Sequence, residues 1–237
     1  MVKINTTGKD QIIFVGDIHG RLNTLMYLLA NKNINNAFII QVGDFGVGFL
    51  SEKYYRRKFK RMSDTLGLHN NHLLVIRGNH DDPEYFSKSN NPYNVDNITF
   101  MSDYSEHTLL GKRILFVGGA ISVDRLEREE YKDWWEDEAA YFRKPKHKKY
   151  DIVVTHTRPP ESLLFNSKMG IESRMFNDPG LEAALDAEGH IMTMLRNAVT
   201  TPLWIFGHFH ESLINVVTGT KYVCCNIDEF YPYNPTP

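Results

Sequence analysis

Two cysteines in 237 residues, adjacent at Cys224 and Cys225, leave no material for a disulfide framework and predict a reducing compartment. No apolar run approaches the roughly 20 residues that a bilayer-spanning helix needs, which argues against a membrane protein. The start, Met1 to Lys9, lacks a long apolar run behind a basic region, so a signal peptide is not expected and the cytoplasm is the expected location. Neither charge is in excess: 27 Lys and Arg face 29 Asp and Glu, a formal net charge of −2. A global basic field for nonspecific nucleic-acid binding is therefore absent. No internal repeat or break in composition divides the chain. With 42% hydrophobic residues, one large domain over 1–237 is predicted.

What is present is a series of polar clusters, each following an apolar run. They are Gly16-Asp17-Ile18-His19-Gly20, Gly43-Asp44, Gly78-Asn79-His80-Asp81, Thr155-His156 and Gly207-His208-Phe209-His210, and they hold five of the ten histidines. The runs before them, Ile12 to Val15, Phe38 to Val42, Leu73 to Ile76, Ile152 to Val154 and Leu203 to Phe206, read as buried strands. Arg21 to Asn31, Glu52 to Leu66 and Leu181 to Val199 carry helical spacing, so the class is α/β with crossover helices. Hairpins are predicted around Gly111-Lys112 and Thr218-Gly219-Thr220, giving a second, mixed or antiparallel sheet. A partly helical insertion is predicted at about 121–150. The proline-rich tail, Tyr231 to Pro237, is expected to be poorly ordered.

The clusters lie where strands leave a sheet, which is where α/β proteins gather ligand-binding groups. Asp17 and His19, two apart, can turn toward one point. Asp44 has two carboxylate oxygens and can bridge two cations. Asn79 offers a neutral oxygen; His156, His208 and His210 offer imidazole nitrogens. Nitrogen and oxygen donors without thiolate favour manganese, with iron or zinc as alternatives, over calcium or a cysteine zinc site. The expected chemistry is phosphate-ester hydrolysis by a water activated between two divalent or transition-metal ions.

The motif series D-x-H, G-D, G-N-H-[DE], a lone H and G-H-x-H resembles that of the calcineurin-like metallophosphoesterase superfamily. All five occur in order from Gly16 to His210. The resemblance implies two facing mixed sheets flanked by helices. It implies one metal held by Asp17, His19, Asp44 and His210, and a second held by Asp44, Asn79, His156 and His208. It makes His80 the catalytic group that contacts phosphate and protonates or steers the leaving oxygen. It makes Arg77, with Asn79 and His80, a phosphate contact. The chain departs from the protein-phosphatase form of the second motif: the aspartate that orients the catalytic histidine there falls at Val47, and the next arginine at Gly48. A partner for His80 is thus not evident. The stretch from Gly118 to Arg125, followed by Trp134-Trp135, is similar to bacterial and phage members, and Asp124 or Arg125 is expected at the rim of the site.

The expected partner is a phosphate ester, mono- or diester, with nucleotide or nucleic acid as an alternative class and no obligate protein partner. A nuclease or cyclic-nucleotide phosphodiesterase is the rival enzyme, and an inactive binding scaffold the rival from another class. The presence of His80 and of every ligand weighs against the scaffold. The basic stripe of Arg56, Arg57, Lys58, Lys60 and Arg61 reads as a solvated helix face, and Arg158, two residues after His156, as either a phosphate contact or a surface ion pair. The aromatics of the Asp82 to Asp96 stretch read as part of an ordinary loop. His69, His72, His107, His147 and His190 read as structural or surface groups.

Overall fold

The computed structural model describes residue 4 and residues 6–87, 93–162 and 171–233. In chain order the elements are β1 (Gln11–Val15), α1 (Leu22–Asn31), β2 (Ala37–Gln41), α2 (Glu52–Leu68), β3 (His72–Val75), β4 (Ile98–Phe100), β5 (Ser105–Leu109) and β6 (Lys112–Val117). They continue with β7 (Ile152–Thr155), α3 (Ile171–Asn177), α4 (Leu181–Ala198), β8 (Leu203–Phe206), β9 (Leu213–Val217), β10 (Thr220–Cys224) and β11 (Phe230–Pro232). Among the described residues they form a five-stranded sheet, β11-β1-β2-β3-β4, and a six-stranded one, β5-β6-β7-β8-β10-β9. β1 to β4 run parallel, as do β6, β7, β8 and β10; β11, β5 and β9 are antiparallel.

Side chains alternate between the two faces of a strand, and this alternation builds three apolar layers. Phe14, Ile40, Leu74, Phe116, Val154, Ile205 and Val223 fill the space between the sheets. Ile13, Ile39 and Leu73 turn the other way and pack with Leu25 of α1 and Phe59 of α2. Val153, Trp204 and Tyr222 pack with Met192 and Leu195 of α4. A strand buried on both faces reads as an unbroken apolar run, which is how β1, β2, β3, β7 and β8 appear in the sequence. The fold is the α/β sandwich of two mixed sheets flanked by helices.

Two expectations about local structure change. Within 121–150 the helical content is a single 3-10 turn over Arg125–Glu127. The backbone there is held partly by side chains: the Arg77 guanidinium takes the carbonyls of Asp137, Glu138 and Ala139, so helical pairing is not needed to satisfy them. The tail expected to be poorly ordered begins inside β11, where Tyr231 and Pro232 pair with Phe14 and Ile13 of β1; residues 234–237 lie outside the described residues. The short strand β4 and the helix α3, absent from the sequence reading, are the remaining additions.

Candidate metal centre

Parallel strands bring their carboxyl ends to one edge, and there the two sheets place their polar clusters against each other. Asp17 and His19 follow β1, Asp44 follows β2, Asn79 and His80 follow β3, His156 follows β7, and His208 and His210 follow β8. Donor atoms of Asp17, His19, Asp44 and His210 all lie within 4.8 Å of one another, and so do those of Asp44, His156 and His208. Asp44 belongs to both groups. Asn79 joins the second group, its Oδ1 lying 3.1 Å from His156 Nε2 and 2.9 Å from His208 Nδ1. The seven residues proposed from the sequence as ligands are thus gathered in one place.

The backbone is bent hard to achieve this. His19, Asp44, His208 and His210 all adopt positive φ, between 43° and 67°, a region that non-glycine residues enter sparingly and often at functional sites. Glycines flank these ligands because there is no room for a side chain. A Cβ on Gly78 would strike the Asp44 carboxylate and amide, and one on Gly207 would strike the Asp17 carboxylate.

Hydrogen bonds aim the donors. His156 Nδ1 lies 2.8 Å from the Val42 carbonyl; Nδ1–H donates to that oxygen, which turns Nε2 toward Asp44 at 3.2 Å. Asn79 Nδ2 donates to Ser122 Oγ at 3.0 Å, which turns the amide oxygen toward the imidazoles. Ser122 in turn donates to the buried Glu138 carboxylate. The amides of His208 and His80 donate to Asp17 and Asp44, the latter at 2.8 Å to Oδ1.

Electrostatics leave the cluster unbalanced without cations. Burial pulls His156 down, but the Asp44 carboxylate overrides it and raises the imidazole to about 9. Burial opposes ionisation of Asp44 too, yet His156 and its neighbours hold that carboxyl well below its ordinary range. Burial and the charge of His156 push His208 down to about 3, so it presents a neutral, ligand-ready imidazole. Asp44 Oδ2 is buried with no hydrogen-bond partner, a costly state for a carboxylate oxygen. The His19 and His210 Nε2 atoms stand 3.0 Å apart, the spacing of two donors about 2.1 Å from a shared cation. Orphaned oxygen, neutral imidazole and donor spacing all fit divalent metals.

Residues 11–212 match the family model for calcineurin-like phosphoesterases. The chain belongs to that family. Membership supports a phosphoester hydrolase that depends on metal. No curated protein matches the sequence. Among solved structures, an archaeal phosphodiesterase is 12% identical over 94% of this chain and 99% of its own, with a TM-score of 0.41. The phosphopantetheinyl hydrolase of Mycobacterium tuberculosis is 10% identical over 97% of this chain and 98% of its own, with a TM-score of 0.48. Zinc-bound Vps29 of Entamoeba histolytica is 10% identical over 92% and 74%, with a TM-score of 0.37. Likeness at this level says nothing of substrate.

Two arginines of this phosphoesterase differ from expectation. Arg77, expected to contact phosphate, is 4% exposed; its guanidinium holds the three carbonyls of residues 137–139 and pairs with Asp103 at 3.0 Å. Its role is to anchor the stretch that carries Glu138. Arg128 stands at the site instead, Nη2 lying 3.3 Å from His80 Nε2, and supplies the missing neighbour of that histidine. Asp124, predicted at the rim, is there and fixes Arg128 through two bonds of 2.8 and 2.6 Å. Arg125 is not; it pairs with Asp178.

Asp81 has a role that the sequence signalled only by the acid closing the third motif. Fully buried, its carboxylate accepts from the amides of Phe45, Gly46, Val47 and Gly78 at 2.7 to 3.2 Å, clasping the Asp44 loop to the Asn79 turn. The basic stripe on α2 behaves as a solvated face: Arg56 pairs with Glu52, Lys60 with Asp64 and Lys58 with Asn23. Tyr85 and Phe86 pack into the core under α2, with Tyr93 stacked on Tyr85; residues 88–92 lie outside the described residues.

Proposed function

We propose that this protein hydrolyses phosphate mono- or diesters with two divalent ions, manganese before iron or zinc. Asp17, His19, Asp44 and His210 would hold one, and Asp44, Asn79, His156 and His208 the other. The observation that carries this reading is Asp44, a buried carboxylate shared by two donor groups with one oxygen lacking any partner. When bound, the ions supply Lewis acidity toward the phosphate and toward water.

The chain's own groups do the rest. Val42 holds His156 in the tautomer that keeps Nε2 a donor, and Ser122 holds the Asn79 oxygen inward. His80, carried on the turn whose amide is tied to Asp44, meets the leaving oxygen through Nε2. Burial, with help from Arg128, keeps His80 below its ordinary basicity. An arriving phosphate anion accepts from Arg128 and, by its charge, favours protonation of His80 at the atom that faces the ester. Arg128 thereby takes the clamp role first read at Arg77, with Asp124 keeping its guanidinium in place.

The test is hydrolysis of a chromogenic phosphate monoester and the matching diester by metal-stripped protein reconstituted with manganese, beside Asp44→Asn. Turnover that requires manganese and is lost in the variant, with two ions bound per chain, supports the reading. Bound metal without turnover of either ester, or full turnover in Asp44→Asn, overturns it. The nuclease alternative draws no support from the α2 stripe, where Arg56, Lys58 and Lys60 are engaged with neighbouring side chains.

A further inference from the structure

One cavity, of about 490 Å³, opens directly off the cluster, a size suited to a small organic ligand. Its lining mixes two chemistries. His19, His80, His210 and Arg128 belong to or touch the metal centre, whereas Phe49, Leu50 and Tyr54 supply apolar and aromatic surface. Phe49 and Leu50 are 39% and 54% exposed, although a chain with this much core could have buried them. Apolar surface left in a concave site beside reactive groups marks a place for a ligand.

The apolar surface is preorganised. The Phe49 ring meets Trp135 edge to face, with centroids 5.5 Å apart and planes at 88°. Trp135 is itself buried and closes on Gly48, where a Cβ would collide with it. Ser51, two residues after Phe49, caps α2 by accepting from the Tyr54 amide. The loop is thus fixed on both sides of Phe49, and little conformational freedom remains to be lost when a ring settles on it.

We propose that this cavity takes a phosphate ester bearing an aromatic group, the phosphate at the histidines and Arg128 and the ring against Phe49, with Leu50 and Tyr54 beside it. The proposal rests on the hydrolase reading above and adds the class of alcohol. A sugar or polyol in place of the ring would bring hydroxyls against Phe49 and Leu50, where those side chains return no hydrogen bond.

The test uses phosphonates, which bind without being hydrolysed. Calorimetry on the manganese-loaded protein should give phenylphosphonate an affinity about tenfold above methylphosphonate, the worth of one stacked ring. Phe49→Ala should bring the ratio close to one, and Phe49→Tyr should restore it. Phenylphosphonate against adenosine 5′-monothiophosphate then separates an aryl from a nucleoside ester. Equal binding of phenyl- and methylphosphonate, equal binding of hexylphosphonate and phenylphosphonate, or a ratio untouched by Phe49→Ala overturns the proposal. Hydrolysis of 4-nitrophenyl phosphate and of bis(4-nitrophenyl) phosphate, run alongside, tells the two readings apart: turnover of either without phosphonate discrimination sinks only the aromatic assignment, and absence of turnover of both sinks the hydrolase reading as well.

Discussion

Behind the metal centre, Glu188 of α4 carries a testable electrostatic cost. Its carboxylate accepts from the Ile121 amide at 2.8 Å and from Thr157 Oγ1 at 2.9 Å, bracing the residues next to Ser122 and His156. Burial raises this carboxyl from 4.5 to about 7, against the lowering by Thr157, Ile121 and His156. A carboxyl whose folded-state pKa lies above its unfolded value contributes stability that is fully present below the unfolded pKa and lost as pH rises through the folded one. At about 1.4 kcal/mol per pH unit, the full difference is about 3 kcal/mol. The residue is only partly buried, so we discount this to about 2 kcal/mol. Glu188→Gln keeps an acceptor for Ile121 and can donate to Thr157, but it has no charge to bury. Thermal unfolding of metal-stripped wild type and variant should therefore coincide near pH 4.5 and separate by about 6 °C in favour of the variant by pH 8. Parallel curves across that range, or a wild type that gains on the variant as pH rises, would refute the argument.

Asp81→Ala removes the acceptor of four buried amides and should cost about 4 kcal/mol, or roughly 10 °C in melting temperature, with loss of manganese binding in calorimetry. Arg77→Ala and Arg128→Ala should part company: the first leaves Asp103 and three carbonyls behind and should destabilise by about 3 to 5 kcal/mol in denaturant unfolding. The second should lower kcat/KM about 10- to 100-fold, the loss of one charged hydrogen bond to phosphate, with a melting temperature close to wild type. Equal melting temperatures for the two would refute the division of roles. Ser122→Ala frees the Asn79 amide and should weaken manganese binding about 10- to 100-fold by titration, while the fold, followed by circular dichroism, is retained.

The ligand clusters were legible because two local signals coincide at four of the five, all but Thr155-His156. An apolar run long enough to be a buried strand ends in a glycine, and the glycine is there because the next donor's neighbour fills the space its Cβ would take, as Asp44 does at Gly78 and Asp17 at Gly207. The crowding partners are distant in sequence, but the glycine itself stands beside the donor it serves, so one sequence suffices to see it. The short strands β4 and β11 carry no comparable run; each is three residues held by a neighbour already in place. Glu138 was invisible for another reason. Nothing near position 138 announces that its carboxylate will meet Ser122, because Arg77 delivers it from 61 positions away by holding the carbonyl of that same residue.

The two arginines show where motif reading stops. Arg77 stands one residue before Gly78, so its Cα is close to the centre by sequence, but an arginine side chain is long enough to be claimed by whatever acceptors lie within its reach. Here those acceptors are the main-chain carbonyls of Asp137, Glu138 and Ala139 together with the Asp103 carboxylate. With Arg77 so engaged, the arginine beside His80 comes from another loop. Arg128 is held there by Asp124, which takes two of its N–H groups, and by the Asp133 carbonyl, and its Nη2 faces His80. Which of the two arginines faces the donor cluster is therefore decided by where acceptors lie within reach of each side chain, and sequence distance to the ligands carries little of that information.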